Sequence, residues 1–195
     1  IRLALGNAPG DETSLPYSER YLQDFEKSFC YDRYFQGGAS EGITGTRFLA
    51  GGNTLVVVGS AEDSFYTDAE HGLLARFRHQ HFLLFLIAHF QKAALRMFSD
   101  RLVGAVTRLN VFDSKANRTF RRDIRFAHQN FLRFSHRYWL HEISNQAQTR
   151  ELFDMTRAKL NVDALYAEVR DELRDMDHFL DQEATRRQNE TIVRL

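Results

Sequence analysis

The chain has 195 residues, a formal net charge of zero, 43% hydrophobic residues and 27% charged residues, which are ordinary values for a globular protein. Its single cysteine, Cys30, excludes an internal disulfide and favours a reducing compartment. The most apolar run, residues 81–90, is too short for a bilayer, which takes about 20 residues, so we predict a buried helix segment there.

Residues 1–68 are predicted to form a small N-terminal α/β element. The aromatic-rich stretch 17–35 favours a short helix. Beyond it, β-branched residues on both sides of Gly51-Gly52 indicate a β-hairpin made of residues 43–50 and 53–60.

Residues 69–195 are predicted to form a bundle of long helices. After Gly72 the chain contains one more glycine and no proline, so little interrupts helix formation. Thr67 and Glu70 match a capping box for the first helix, and Asn161 is a good N-cap for the last. Three long antiparallel helices are therefore expected, over about 69–110, 115–160 and 162–195. A small β element followed by these helices gives the fold class α+β, mainly α.

The third predicted helix carries an apolar stripe with an eleven-residue period. Three series share that spacing: Val162, Leu173, Ala184 and Leu195; Leu165, Met176 and Arg187; and Val169, Leu180 and Thr191. A period of eleven gives about 3.67 residues per turn, so the stripe stays nearly straight along a long helix. Near the end of the chain, Ile192, Val193 and Leu195 spread over several faces, which is typical of a helix that enters a protein interior or a membrane. We therefore expect a membrane segment after Leu195.

Polar side chains lie opposite this stripe. At about 100° per residue they are Asp171, Asp175, His178, Gln182 and Asn189. In a single helix such a face is most simply a solvated surface. Around an axis shared by several copies, it would become a column of oxygen ligands suited to a hard cation such as Mg²⁺. The candidate metal ligands are Asp171, Asp175, His178 and Asp181, and the candidate pore-facing residues are Gln182 and Asn189.

Positive charge is concentrated in residues 71–139, which carry thirteen Lys and Arg against three Asp. The arginines of 118–125 are interleaved with aromatic residues, a composition compatible with nucleic acid or with anionic lipid. A simpler interpretation is favoured, in which these arginines face solvent or pair with the acidic residues of 168–183. The opposite side would then belong to the core through Phe120, Ile124, Phe126, Phe131 and Phe134.

The sequence offers no convincing catalytic site, so we do not expect an enzyme. Its eight histidines lack the spacing of three or four that puts two metal ligands on one helix face. Ser40 fits the pattern Gly-x-Ser-x-Gly, but a strand-like stretch follows it where that motif needs a helix.

Residues 70–195 resemble the cytosolic part of the CorA-type divalent-cation transporters, which carry magnesium, zinc or cobalt. The segment DALYAEVRDELRDMDHFLDQEATRRQNETIVRL is similar to the stalk helix that leads into the first membrane span of that family. The segment FLLFLIAHFQKAALRMFSDRL is similar to the first of the two antiparallel helices before the stalk. The family signature, Gly-Met-Asn at the end of the first span, would lie beyond Leu195.

The resemblance implies one subunit of a homopentameric channel or transporter at the cytoplasmic face of the inner membrane, with no nucleic-acid partner. A divalent cation, Mg²⁺ first and Zn²⁺ or Co²⁺ next, would hold acidic helices together by relieving their repulsion, and its loss would let them splay. The first 70 residues are short for the family's α/β domain. Either that domain starts before Ile1 or this branch has a reduced one.

Two other interpretations stay open. In one, the chain is a helical scaffold or interaction protein that self-assembles through residues 162–195 and ignores divalent ions. In the other, the arginines of 118–137 bind nucleic acid or a lipid surface, and nucleic-acid binding would fall steeply with salt.

Overall fold

The computed structural model describes residues 18–38, 42–59, 63–110 and 113–193; Ser40 lies outside them. The helices are α1 (Glu19–Phe29), α2 (Ser64–Thr67), α3 (Leu73–Arg76), α4 (Phe82–Thr107), α5 (Ser114–Arg137), α6 (Ala147–Leu160) and α7 (Val162–Val193), with a π-helical turn (Phe77–His81) between α3 and α4. The strands are β1 (Cys30–Gly38), β2 (Gly42–Gly51) and β3 (Thr54–Val58). The predicted class, α+β and mainly α, is confirmed.

The three strands form an antiparallel sheet in the order β1-β2-β3. The predicted hairpin is confirmed as β2–β3, and Gly51 pairs with Thr54 across a two-residue loop. Gly52 begins that loop with a φ of 52°, in the left-handed region that glycine enters without steric cost. Strand β1 was not predicted. It follows α1 directly and pairs Cys30 with Leu49, so it depends on a partner that is distant in sequence.

The chain divides into two compact units that alternate along the sequence. The first contains residues 1–89 and 142–160, and the second contains residues 90–141 and 161–195. The sequence suggested a division after residue 68 instead.

The first unit is organised around the sheet. Phe48 of β2 is fully buried, and its ring meets the ring of His81 at 5.3 Å. Helix α6 is attached to β1 because Glu151 accepts hydrogen bonds from Tyr31 Oη (2.6 Å) and Arg33 Nη1 (2.8 Å). Cys30 is buried, and burial raises the pKa of its thiol.

The second unit is a three-helix bundle of α5, α7 and the part of α4 from Phe90 onward. Phe90 contacts Tyr138 while Arg108 pairs with Asp123, so α4 and α5 run antiparallel. Two ring contacts, Phe131 with Tyr166 (5.2 Å) and Phe120 with Phe179 (6.1 Å), show that α5 and α7 are also antiparallel.

The second predicted helix is wrong in its length, because the structure breaks it between α5 and α6. Helix α5 ends at Arg137 without a glycine or proline. The carbonyl groups of Tyr138 and Leu140 accept hydrogen bonds from Gln91 Nε2, at 3.0 and 3.2 Å. A side chain from α4 therefore satisfies backbone groups that a C-terminal cap would otherwise serve.

The start of the first long helix was also predicted too early. Thr67 ends the short helix α2 and does not cap a long one. The carboxylate of Asp68 accepts from the backbone N–H groups of Glu70 and His71 instead, and helical structure resumes at Leu73. The start of α7 at Val162 agrees with the prediction, and Asn161 before it has a left-handed φ of 56°.

Candidate functional site

Helix α7 carries apolar and polar side chains on different faces. The buried residues are Val162, Leu165, Val169, Leu173 and Leu180. The six candidate site residues all lie on this helix and are exposed: Asp171, Asp175, His178, Asp181, Gln182 and Asn189. Their exposure agrees with the sequence pattern, and a role in binding a cation stays a prediction.

Within one chain these side chains do not assemble into a metal centre. Asp171 Oδ1 lies 3.1 Å from Arg170 Nη2 and 3.4 Å from Arg174 Nη1. The Nε2 atoms of His178 and Gln182 lie 2.9 Å apart. In the part of the chain that the structure describes, no group of three or more His, Cys, Asp or Glu could hold a metal ion.

Three other acidic residues of α7 have surroundings that the sequence analysis missed. Asp177 Oδ2 lies 2.6 Å from Nδ1 of His128 on α5. Glu183 is buried, and Glu172 is half-buried. Glu172 and Glu183 are eleven positions apart, which is the period of the apolar stripe, so this spacing was the signal that could have identified both.

Glu172 borders an apolar pocket of about 500 Å³ between α4 and α7. The apolar lining includes Leu102, Val103, Val106, Phe120, Met176 and Phe179. The Oε2 atom of Glu172 is buried and accepts no hydrogen bond from a described residue. Burial and then the charge of Glu168 raise the pKa of Glu172, because both disfavour the ionised carboxylate.

The favoured interpretation of the sequence allowed the arginines of α5 to pair with the acidic residues of α7. In the structure they do not. Arg122 contacts its neighbour Asp123, which also pairs with Arg108, the residue after α4, both at 3.4 Å. Between α5 and α7, His128 contacts Asp177, and among the described residues no arginine of α5 forms an ion pair with α7. The positive charge of α5 is therefore available to something else.

Helix α4 is apolar on more than one side. Leu84 and Ala88 are buried, as predicted for residues 81–90. The prediction of a buried segment is nevertheless wrong for four of the ten residues, because four large side chains are 49–53% exposed: Phe82, Leu83, Leu86 and Phe90. Phe126 of α5, predicted to be in the core, is 57% exposed, whereas Phe120, Ile124, Phe131 and Phe134 are buried.

Two adjoining cavities form a groove between α4 and α5, with volumes of about 630 Å³ and 690 Å³. We call it the α4–α5 groove. Both cavities share Ala93, Met97, Arg101 and Phe126, and none of their lining residues belongs to α7. Five arginines line the groove: Arg96, Arg101, Arg108, Arg133 and Arg137.

Among the described residues, one helical stretch is long and apolar enough to cross a membrane, Leu73–Thr107, and 28% of its most apolar window is buried. Within this stretch, Phe98 packs against Phe131 of α5 at 5.6 Å. A bilayer around α4 would therefore also have to accommodate the arginines of α5, which cost several kcal/mol each at the bilayer centre. The exposed side of α4 is better described as a surface that faces water or a partner.

In the first unit, His81 is the most buried titratable side chain of the π-helical turn, at 2% exposure. It lies between the rings of Phe48 and Phe77, and its Nδ1 atom has no hydrogen-bond partner among the described residues. Burial, and then the charge of Arg76, lower the pKa of His81. The lowered pKa favours the neutral imidazole. No other titratable or metal-binding side chain among the described residues forms a site with His81, so we interpret it as a core residue.

No protein-family model, curated protein or solved structure matches this chain.

Proposed function

We propose that this chain is the soluble cytosolic domain of a CorA-like divalent metal-ion transporter or channel, where it regulates ion passage through an oligomeric central pore. The observation that carries the proposal is the exposed polar face of α7, which lies opposite a buried apolar stripe over a helix of 32 residues. The order of elements supports it as well, because a small β element and two antiparallel helices precede α7.

In this proposal five copies surround an axis, and α7 of each copy turns its polar face inward. Asp175 and Asp181 are the ligands available at lowest cost, because neither forms an ion pair with a described residue. Asp171 would first have to leave Arg170 and Arg174. Mg²⁺ keeps much of its water shell, so carboxylates of neighbouring copies can share it through bound water.

Cation binding would couple to assembly through charge. Without the ion, the carboxylates of neighbouring α7 helices repel each other and the copies separate. With the ion, the repulsion is relieved, which gives two states biased by a ligand. His178, Gln182 and Asn189 would line the same path, and His178 would make Zn²⁺ or Co²⁺ a possible alternative to Mg²⁺.

The test is whether the 195-residue chain assembles in a cation-dependent way. Sedimentation velocity measures its size in Mg²⁺ and in chelator. The expected result is a larger species in Mg²⁺ that returns to monomer in chelator. The double variant Asp175→Asn with Asp181→Asn should remain monomeric in both. The matched control, Glu142→Gln with Asp154→Asn, removes two exposed carboxylates of the first unit and should assemble like the parent chain.

Assembly that ignores both the cation and the α7 double variant would contradict the proposal. The membrane part has its own test, since the proposal requires apolar spans encoded after Leu195, with Gly-Met-Asn closing the first. A polar continuation or a stop codon there would exclude a transporter subunit.

The second candidate function is a helical scaffold that self-assembles or binds partners without transporting ions. The exposed apolar side of α4 favours it, because large uncovered apolar surfaces mark interaction sites. Association that is insensitive to divalent cations would support this function over the first.

A further inference from the structure

The α4–α5 groove has an apolar floor that the second unit leaves uncovered. Phe90, Met97, Phe126 and Tyr138 line it and are 43–57% exposed. On its other side, α4 buries Leu95 and Leu102 in the bundle. A helix with apolar residues on both sides is normally covered on both sides, so α4 is missing one neighbour.

The rims of the groove are positively charged. Arg96, Arg101, Arg133 and Arg137 make no ion pair with any described residue. Arg108 is partly neutralised by Asp123, at 3.4 Å. Asp100 also lines the groove and offsets one of the positive charges. The uncompensated charge calls for an anionic occupant.

The length of the groove determines what kind of anion fits. From Phe90 to Thr107, α4 rises by about 26 Å at 1.5 Å per residue. The five arginines are distributed over this length on both rims, two on α4, one directly after its end and two on α5. A single phosphate or carboxylate head would meet only one end of such a series. A helix with acidic residues along its flanks would meet all of them while its apolar side covers the floor.

We propose that the α4–α5 groove binds an acidic amphipathic helix of about five turns from another polypeptide, which converts the three-helix bundle into a four-helix bundle. The same groove of a second copy is a poor occupant, because face-to-face pairing would bring arginines against arginines. The partner buries Met97 and Phe126 at the centre of the interface. This binding site is separate from the polar face of α7, and it does not depend on the proposed transport function.

The test uses a labelled synthetic peptide of about 18 residues, with leucines at helical spacing and glutamates on both flanks. Fluorescence anisotropy with the 195-residue chain should show saturable binding that weakens as salt is raised. The variant Phe126→Glu should weaken binding at least tenfold, and so should the double variant Arg101→Glu with Arg133→Glu.

Matched variants keep the result specific. Leu132→Glu changes an apolar residue of α5 that is 47% exposed but does not line the groove, and Arg118→Glu reverses an exposed charge elsewhere on α5. Both should bind the peptide like the parent chain. Circular dichroism must show that all four variants are folded, and since all five substituted positions are exposed, we expect that they are.

Three outcomes would overturn the proposal. The first is no binding of the acidic peptide, or loss of binding in the two matched variants as well. The second is equal binding of a peptide in which every glutamate is replaced by lysine, which would remove the role of the arginines. The third is a groove-dependent interaction with phosphatidylglycerol vesicles but not with the peptide, which would assign the surface to a membrane.

Discussion

Helices α4 and α7 are the two longest in the described structure, and they distribute their apolar residues in opposite ways. On α7, Val169 and Leu173 are buried while Asp171 and Asp175 face solvent. On α4, large apolar side chains occupy the buried side and the exposed side alike. From Val162 to Leu180, the buried apolar residues of α7 lie on one face and the opposite face is polar. The packing of α4 is half complete, and its outer face suits another polypeptide.

The largest expected change in the free energy of unfolding distinguishes the buried side of α4 from its exposed side. Phe98 is 3% exposed, and its ring meets those of Phe131 and Phe134 at 5.6 and 5.7 Å. Phe98→Ala should lower the free energy of unfolding by about 3–5 kcal/mol, because it removes buried apolar area and leaves a cavity. Its neighbour Met97 is 43% exposed, and Met97→Ala should cost less than about 1 kcal/mol.

Urea unfolding followed by circular dichroism measures both variants. Equal destabilisation by the two changes would mean that the outer side of α4 is covered in solution, most simply by self-association. Repeating the measurement at several protein concentrations identifies self-association, because the stability of an associated state depends on protein concentration.

An intermediate effect is expected at Gln91, the fully buried polar residue of α4. Gln91→Ala removes the two hydrogen bonds that the Gln91 amide donates to the carbonyl groups of Tyr138 and Leu140, so the free energy of unfolding should fall by about 1–3 kcal/mol. Gln129→Ala, at an exposed position of α5, is the control and should be nearly neutral. A neutral Gln91→Ala would indicate that water replaces the amide at the end of α5.

Gln91 also shows which part of the fold could not be predicted from the sequence. The start of α7, the β2–β3 hairpin and the N-terminal part of the α7 stripe, from Val162 to Leu180, follow from local patterns, and the structure confirms them. The side chains of Arg187, Thr191 and Leu195, which complete the predicted stripe, lie outside the described residues. The end of α5 has no local signal, because the hydrogen bonds that accompany it come from Gln91, 47 residues earlier. Strand β1 likewise depends on a partner strand, whereas its own aromatic residues also suit a helix.

The candidate site was predictable to a similar extent. A period of 3.6 places Asp171 and Asp175 opposite the apolar stripe without any knowledge of tertiary contacts. The α4–α5 groove was not predictable, because Phe126 lies among core residues in sequence and only the packing of α5 decides which aromatic rings are buried. The residue pattern of α4 does not indicate which of its apolar residues remain on the outer side.

The smallest expected change in stability is at Glu172, which lies at the boundary between the two faces of α7. Its pKa is raised in the folded state, first by burial and then by Glu168, so folding favours the protonated form. The stability that this proton contributes is fully present below the ordinary glutamate pKa of about 4.3 and is lost as the pH rises through the raised pKa. Glu172→Gln should therefore match the parent chain at low pH and be more stable at neutral pH.

Urea midpoints across this pH range measure the difference in stability. Glu168→Gln, which changes an exposed residue one turn away, should reproduce only part of that difference. A Glu172→Gln variant that is less stable at neutral pH would mean that the ionised carboxylate has a favourable partner in solution. The apolar pocket beside it would then be filled by something that carries a positive charge.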